Sequence, residues 1–170
     1  WERRSEGVLA TEWEWGGQCW QGGHGGEVST ATGGNERIIV GNGGESIHGY
    51  YNVCRHRGHE LVPEGTTNIP VIICPYHAWT YDLAGKLTRA RRVEAATLGH
   101  PCVPRVRVET MAGFVFVNLD LNPASLSETA PGVEAELLRL VPDAPQRVLT
   151  ARLTHDFAAN WKLAVENYNE

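Results

Sequence analysis

Cys54-Arg55-His56 and, after a gap of seventeen residues, Cys74-Pro75-Tyr76-His77 decide how this sequence is read. The pattern is C-x-H followed by C-x-x-H, so two segments each deliver one thiolate and one imidazole. A single zinc ion is the simpler chemical reading, because two Cys and two His suit its tetrahedral shell. Zinc ligand pairs usually stand two or more residues apart, however, and often match like with like. One sulfur and one nitrogen per segment suit a two-iron cluster lying across both, with the cysteines on one iron and the histidines on the other. Zinc, and side chains with no metal at all, are the alternatives.

Outward from these segments the pattern is β-rich up to residue 120. Residues 28–32, 37–40 and 47–53 are short strand candidates punctuated by Gly and Asn. Residues 71–74 form a β-branched run closed by Pro75, and Trp79, Tyr81 and Leu83 alternate with Thr80 and Asp82 before a turn at Ala84-Gly85-Lys86. Val106 and Val108 alternate with Arg105, Arg107 and Glu109, and Gly113 separates them from residues 114–119, a hairpin pattern. Many of the 19 glycines crowd the first quarter without opening any helix, so they read as turns and not as a phosphate loop.

After Asp120 the composition changes. Residues 122–125 read as a linker, and a helix follows over 133–141, with Leu137, Leu138 and Val141 as its stripe and Pro142 as its stop. Residues 149–157 alternate again, and 160–170 are helical by pattern. The fold class is mainly β: an antiparallel β domain with two ligand-bearing loops, followed by the start of an α+β domain. The chain begins at Trp1 and stops at Glu170 inside a helical run, so a piece of a longer protein is expected.

Composition excludes several classes. Fifteen Lys and Arg against 20 Asp and Glu give a net charge of −5, opposite to what phosphate neutralisation by a nucleic-acid binder requires. No apolar run approaches the ~18 residues of a membrane span. The expected compartment is the cytoplasm. Cys19 and Cys102 have no ligand neighbours and are expected to be buried free thiols. His24, His48, His100 and His155 stand alone, and His59 is expected to pack under the first loop. Arg55, Arg57, Arg89, Arg91 and Arg92 make a basic set, either simply solvated or suited to an acidic electron donor.

With their flanks, Asn52-Val53-Cys54-Arg55-His56-Arg57-Gly58 and Cys74-Pro75-Tyr76-His77-Ala78-Trp79-Thr80-Tyr81 resemble the Rieske non-haem iron oxygenase α subunits, the family of ring-hydroxylating dioxygenases. Respiratory Rieske proteins carry an extra cysteine in each loop. His59 and Tyr76 hold those places here, so that disulfide is not expected. The resemblance implies a [2Fe–2S] cluster on Cys54, His56, Cys74 and His77. It also implies that Gly58 brings its N–H close to a sulfide, and that Tyr81 donates its O–H to a cysteine sulfur. Trp79 stands where respiratory proteins use a serine donor, which implies a comparatively low potential.

A second resemblance covers Asn160 to Glu170, which looks like the opening helix of the oxygenase catalytic domain. In that family the helix continues to two histidines and a later acid that bind a mononuclear Fe(II), expected only in a full-length protein. Glu170 falls at the position of the bridging acid, a catalytic role. Glu there is similar to members that oxidise quaternary ammonium compounds. The implied organisation is a lead-in over 1–35, a Rieske domain over 36–120, a linker and short helix over 121–147, and the beginning of a catalytic domain over 148–170. The implied function is electron transfer from an NAD(P)H-dependent reductase, directly or through a ferredoxin, to the mononuclear iron. That iron supports O₂-dependent hydroxylation, dihydroxylation or demethylation of a small molecule in a homotrimer or α/β hetero-oligomer. The competing readings are a stand-alone Rieske ferredoxin and a zinc-stapled binding module.

Overall fold

The computed structural model describes residues 11–18, 26–33, 35–44, 46–147 and 158–168. The expected segment 149–157, together with Cys19, His24, His155 and Glu170, lies outside the described residues. The strands are β1 (Glu14–Gln18), β2 (Glu27–Gly33), β3 (Glu36–Asn42), β4 (Ile47–Tyr51), β5 (Thr66–Asn68), β6 (Ile72–Ile73), β7 (Thr80–Tyr81), β8 (Leu87–Arg89), β9 (Arg105–Met111) and β10 (Phe114–Asn118). The helices are α1 (Leu126–Thr129), α2 (Val133–Leu140) and α3 (Trp161–Tyr168). The mainly β expectation agrees with this architecture.

Seven strands form one sheet in the order β1-β10-β9-β4-β3-β2-β5, and β6-β7-β8 form a second. All neighbouring strands are antiparallel. The unbroken apolar run Ile38-Ile39-Val40 is explained by cover on both faces of the large sheet. Ile39 packs with Val28 and Tyr50 against Ile72, Tyr81 and Leu87 of the small sheet, and that same core takes in Cys54 and Cys74. Ile38 and Val40 point the other way, to Val106, Val115 and Val117. In β10 the alternation continues, since Phe114 and Phe116 face Leu137 and Leu138 of α2.

Two predicted boundaries shift. Ser125 is not linker but the N-cap of α1, in a capping box with Glu128. The strand predicted over 47–53 ends at Tyr51, where the chain turns into the first loop of the candidate site. Among the described residues, no helix is long and apolar enough to cross a membrane.

Gly85 ties the small sheet to the large one. It turns the β7–β8 hairpin at φ 79°, and a Cβ there would stand 2.4 Å from Cε1 of Tyr50. Tyr50 is fully buried, donates its O–H to the Leu83 carbonyl at 3.2 Å, and is pushed up to about 12 in pKa by burial. Gly85→Ala therefore adds a left-handed backbone cost of about 1–2 kcal/mol to an overpacking cost of about 1–3 kcal/mol. Thermal denaturation should show a loss of roughly 2–5 kcal/mol in all. An unchanged midpoint would show that this contact is slack.

Candidate metal centre

Two loops of similar closure build the site. In the first, the Cys54 N–H donates to the His59 carbonyl at 2.8 Å, and the Gly58 N–H donates to the Cys54 carbonyl at 2.9 Å. In the second, the Cys74 N–H donates to the Trp79 carbonyl at 2.8 Å and the Ala78 N–H to the Cys74 carbonyl at 2.9 Å. In each loop the residue four after the cysteine is left-handed, Gly58 at φ 69° and Ala78 at φ 55°. The chain thus reverses within two residues of each histidine and holds each Cys and His on one tight turn.

Buried Asn52 fixes the first loop from beneath. Its Oδ1 accepts from the N–H groups of Leu61 and Val62 at 2.9 and 3.0 Å, and its Nδ2 donates to the Val62 carbonyl at 2.7 Å. Three backbone groups that would otherwise be buried unpaired are satisfied by one amide.

Across the loops the donors sort by kind. Cys54 and Cys74 are both buried in one core cluster. The imidazoles of His56 and His77 lie 4.7 Å apart, centroid to centroid, in an edge-to-face arrangement. Among the described residues, no three His, Cys, Asp or Glu side chains converge to hold one metal ion. The Nδ1 atoms of both histidines are buried without any hydrogen-bond partner. Orphaned buried nitrogens are rare, and here they are what two imidazole ligands would present to a metal.

The surroundings stabilise charge on sulfur. Tyr81 Oη accepts the Arg55 N–H at 3.1 Å, which leaves its own O–H to donate to Cys54 Sγ at 3.3 Å. Burial pushes the Cys54 thiol up; hydrogen bonds from Tyr81 and the His56 N–H work against that rise, and Cys74 adds to it. Trp79 stacks on His56 at 4.7 Å with 10° between the rings. Burial, then His56, Arg57 and Arg91, lower the pKa of His77, which favours the neutral, ligating imidazole.

Residues 20–108 match the Rieske [2Fe-2S] domain family, which is more than half of the chain. The chain belongs to that family. The cofactor of a Rieske domain is a [2Fe–2S] cluster, and the four donors fit it in kind, pairing and unpartnered nitrogens. This Rieske chain is 41% identical over 140 residues to the carnitine monooxygenase oxygenase subunit of Escherichia coli K12, covering 79% of this chain and 37% of that protein. It is 31% identical over 140 residues to the glycine betaine monooxygenase oxygenase subunit of Pseudomonas aeruginosa PAO1, covering 81% of this chain and 32% of that one. Among solved structures it overlays on the quaternary ammonium Rieske monooxygenase CntA bound to L-carnitine. There the TM-score is 0.89 at 34% identity, covering 98% of this chain and 49% of that chain. The chain thus spans between about a third and a half of the length of these relatives.

Several expectations for this Rieske site are corrected. The Gly58 N–H donates to the Cys54 carbonyl, and its left-handed φ turns the first loop. His59 is exposed, with its ring 5.5 Å from Tyr76, because its Nδ1 is held outside the loop against the Glu60 carbonyl. Cys102 is exposed and not buried. The rings of His48 and His100 hydrogen-bond with Ser46 Oγ and the Leu87 carbonyl. Asn52 and Ala78 carried no signal of their own in the sequence. Only the parallel between the two loops would have exposed Ala78.

Two outcomes follow for the reconstituted protein. Tyr81→Phe removes a donor to Cys54 Sγ worth about 1 kcal/mol, so the midpoint potential should fall by on the order of 40 mV, read by voltammetry. An unchanged or raised midpoint would deny that donation. Asn52→Leu should destabilise the chain by about 3 kcal/mol and speed cluster loss, since it strands the Leu61 and Val62 amides.

Proposed function

We propose that this chain is the electron-transfer portion of an oxygenase subunit acting on a small quaternary ammonium compound. The observation that carries this reading is the extent of the structural likeness. The Rieske match ends at residue 108, yet the overlay on a quaternary ammonium Rieske monooxygenase takes in 98% of the chain. A stand-alone ferredoxin has no need of the elements that follow the β9–β10 hairpin. A zinc-stapled module is disfavoured by the match of residues 20–108 to the Rieske [2Fe-2S] domain.

In this reading Cys54 and Cys74 hold one iron, and His56 and His77 hold the other. The bound cluster supplies one-electron storage between a reductase and a catalytic iron. The chain's own residues set the conditions for it. Tyr81 and the His56 N–H stabilise negative charge on Cys54, Trp79 keeps the His56 ring in one orientation, and the paired rings lie half-exposed at the surface. The NAD(P)H-dependent reductase, the oligomeric assembly and a cytoplasmic location belong to the same proposal. So does Glu170 as an acid linking a Rieske histidine to the catalytic iron of a neighbouring copy.

The test supplies reductase, NAD(P)H and O₂ to the reconstituted 170-residue chain and to the longer reading frame that carries it, with carnitine, glycine betaine and aromatic substrates. The short chain should be reduced but form no product. The long one should consume a quaternary ammonium compound, and Glu170→Gln should leave its cluster reducible while slowing the cluster's re-oxidation. Product from the short chain, or turnover of aromatic substrates only, would contradict the proposal.

A further inference from the structure

The residue that closes each ligand loop carries a ring, and each ring leaves its own loop to meet the other. The Cys54 N–H donates to the carbonyl of His59, and the Cys74 N–H donates to the carbonyl of Trp79, so His59 and Trp79 hold equivalent places. Trp79 stacks on His56, the ligand histidine of the first loop, at 4.7 Å with 10° between the planes. His59 reaches the second loop: its ring lies 5.5 Å from that of Tyr76, tilted by 34°. Tyr76 in turn lies 3.8 Å from His77, the ligand histidine of the second loop, tilted by 37°.

The His59 end of this chain of rings is anchored. Its Nδ1 donates to the Glu60 carbonyl at 2.7 Å. The Glu60 carboxylate accepts from Arg37 of β3 and, at 3.3 Å, from Asn52 Nδ2. The ring of His59 is therefore tied through Glu60 to the large sheet. The His77 end needs such a support, because its Nδ1 is buried without a hydrogen-bond partner. No hydrogen bond at that atom orients the imidazole, so contacts on the ring itself must do so, and Tyr76 supplies one. Cys54 and Cys74 are free thiols, so no disulfide joins the two loops.

Resting on the metal site proposed above, we propose that His59 and Tyr76 are positioning residues that hold His77 in its ligating orientation from the opposite loop. With Trp79 on His56 they form a reciprocal clasp, in which the closing ring of each loop braces the ligand histidine of the other. Both ring separations at Tyr76 are close enough for attraction between tilted π-systems. A ligand ring that swings away opens the site to metal loss, so the clasp acts on how long the metal group is retained.

The experiment compares the reconstituted chain as wild type, His59→Ala, Tyr76→Ala, the double Ala variant, His59→Phe and Tyr76→Phe. One readout is iron release to an excess of ferrous chelator, followed by bleaching of the cluster absorption. The other is hydrogen exchange, by mass spectrometry, in the peptides that carry residues 54–59 and 74–79. Each Ala variant should speed release by about two- to twelve-fold, the range that one aromatic pair supplies. The double variant should be no faster than the faster single one, because both remove the same contact. The Phe variants keep a ring in place and should release iron at nearly the wild-type rate. His59→Ala should speed exchange in the second loop, and Tyr76→Ala in the first. Both side chains are exposed, so the thermal midpoint should not move. Unchanged release in the Ala variants, single effects that multiply in the double, Phe variants as fast as Ala, or faster exchange confined to the mutated loop would each overturn the clasp. A chain that takes up no iron–sulfur cluster would refute the metal site, and the cross-loop exchange would then decide the clasp alone, since it needs no cluster.

Discussion

Everything at the site depends on how two short loops close on their own cysteines. Each cysteine N–H is tied to a carbonyl five residues on, and each cysteine carbonyl receives the N–H four residues on. This turn sets one sulfur and one ring nitrogen at a fixed separation on each loop. Placing the two loops against each other then brings the cysteines into one core cluster and sets imidazole beside imidazole. Two-plus-two sorting follows from backbone hydrogen bonding before any metal is considered.

That closure carries a cost which the rest of the fold bears. Two buried Nδ1 atoms have no partner, and two neighbouring thiols are held out of water. Unpaired buried polar groups destabilise a fold by about 1–3 kcal/mol each. The compensation lies directly beneath: the core that includes Cys54 and Cys74 also holds Val28, Ile39, Tyr50, Ile72 and Leu87 from both sheets. Asn52 and Tyr81 add the hydrogen bonds that hold the first loop in place. A metal group bound at those donors would turn the same unfavourable terms into stabilising ones.

The strands, and the two loops that bring Cys54, His56, Cys74 and His77 together, were legible because their signals are local. Alternation in β9 and Gly113 after it announce a hairpin, and C-x-H with C-x-x-H announces mixed ligation. What escaped depends on tertiary placement. Nothing in the sequence says that Asn52 points inward to clamp Leu61 and Val62, or that His59 turns out toward Tyr76. The Gly58 N–H was legible as special, but its partner is the Cys54 carbonyl, a fact of loop geometry that no spacing encodes. Ser125 was the avoidable error, since Ser125-Leu126-Ser127-Glu128 is a capping-box pattern readable in advance.

The central claim is that Cys54 and Cys74 bind through sulfur while His56 and His77 bind through Nδ1. Pulsed paramagnetic resonance on the reduced, reconstituted chain with ¹⁵N placed selectively at histidine Nδ1 tests it most directly. The account predicts strong couplings from two histidine nitrogens, both at Nδ1, and loss of one in a His77→Cys variant. Couplings at Nε2, a single coupled nitrogen, or a signal unaffected by the label would contradict it.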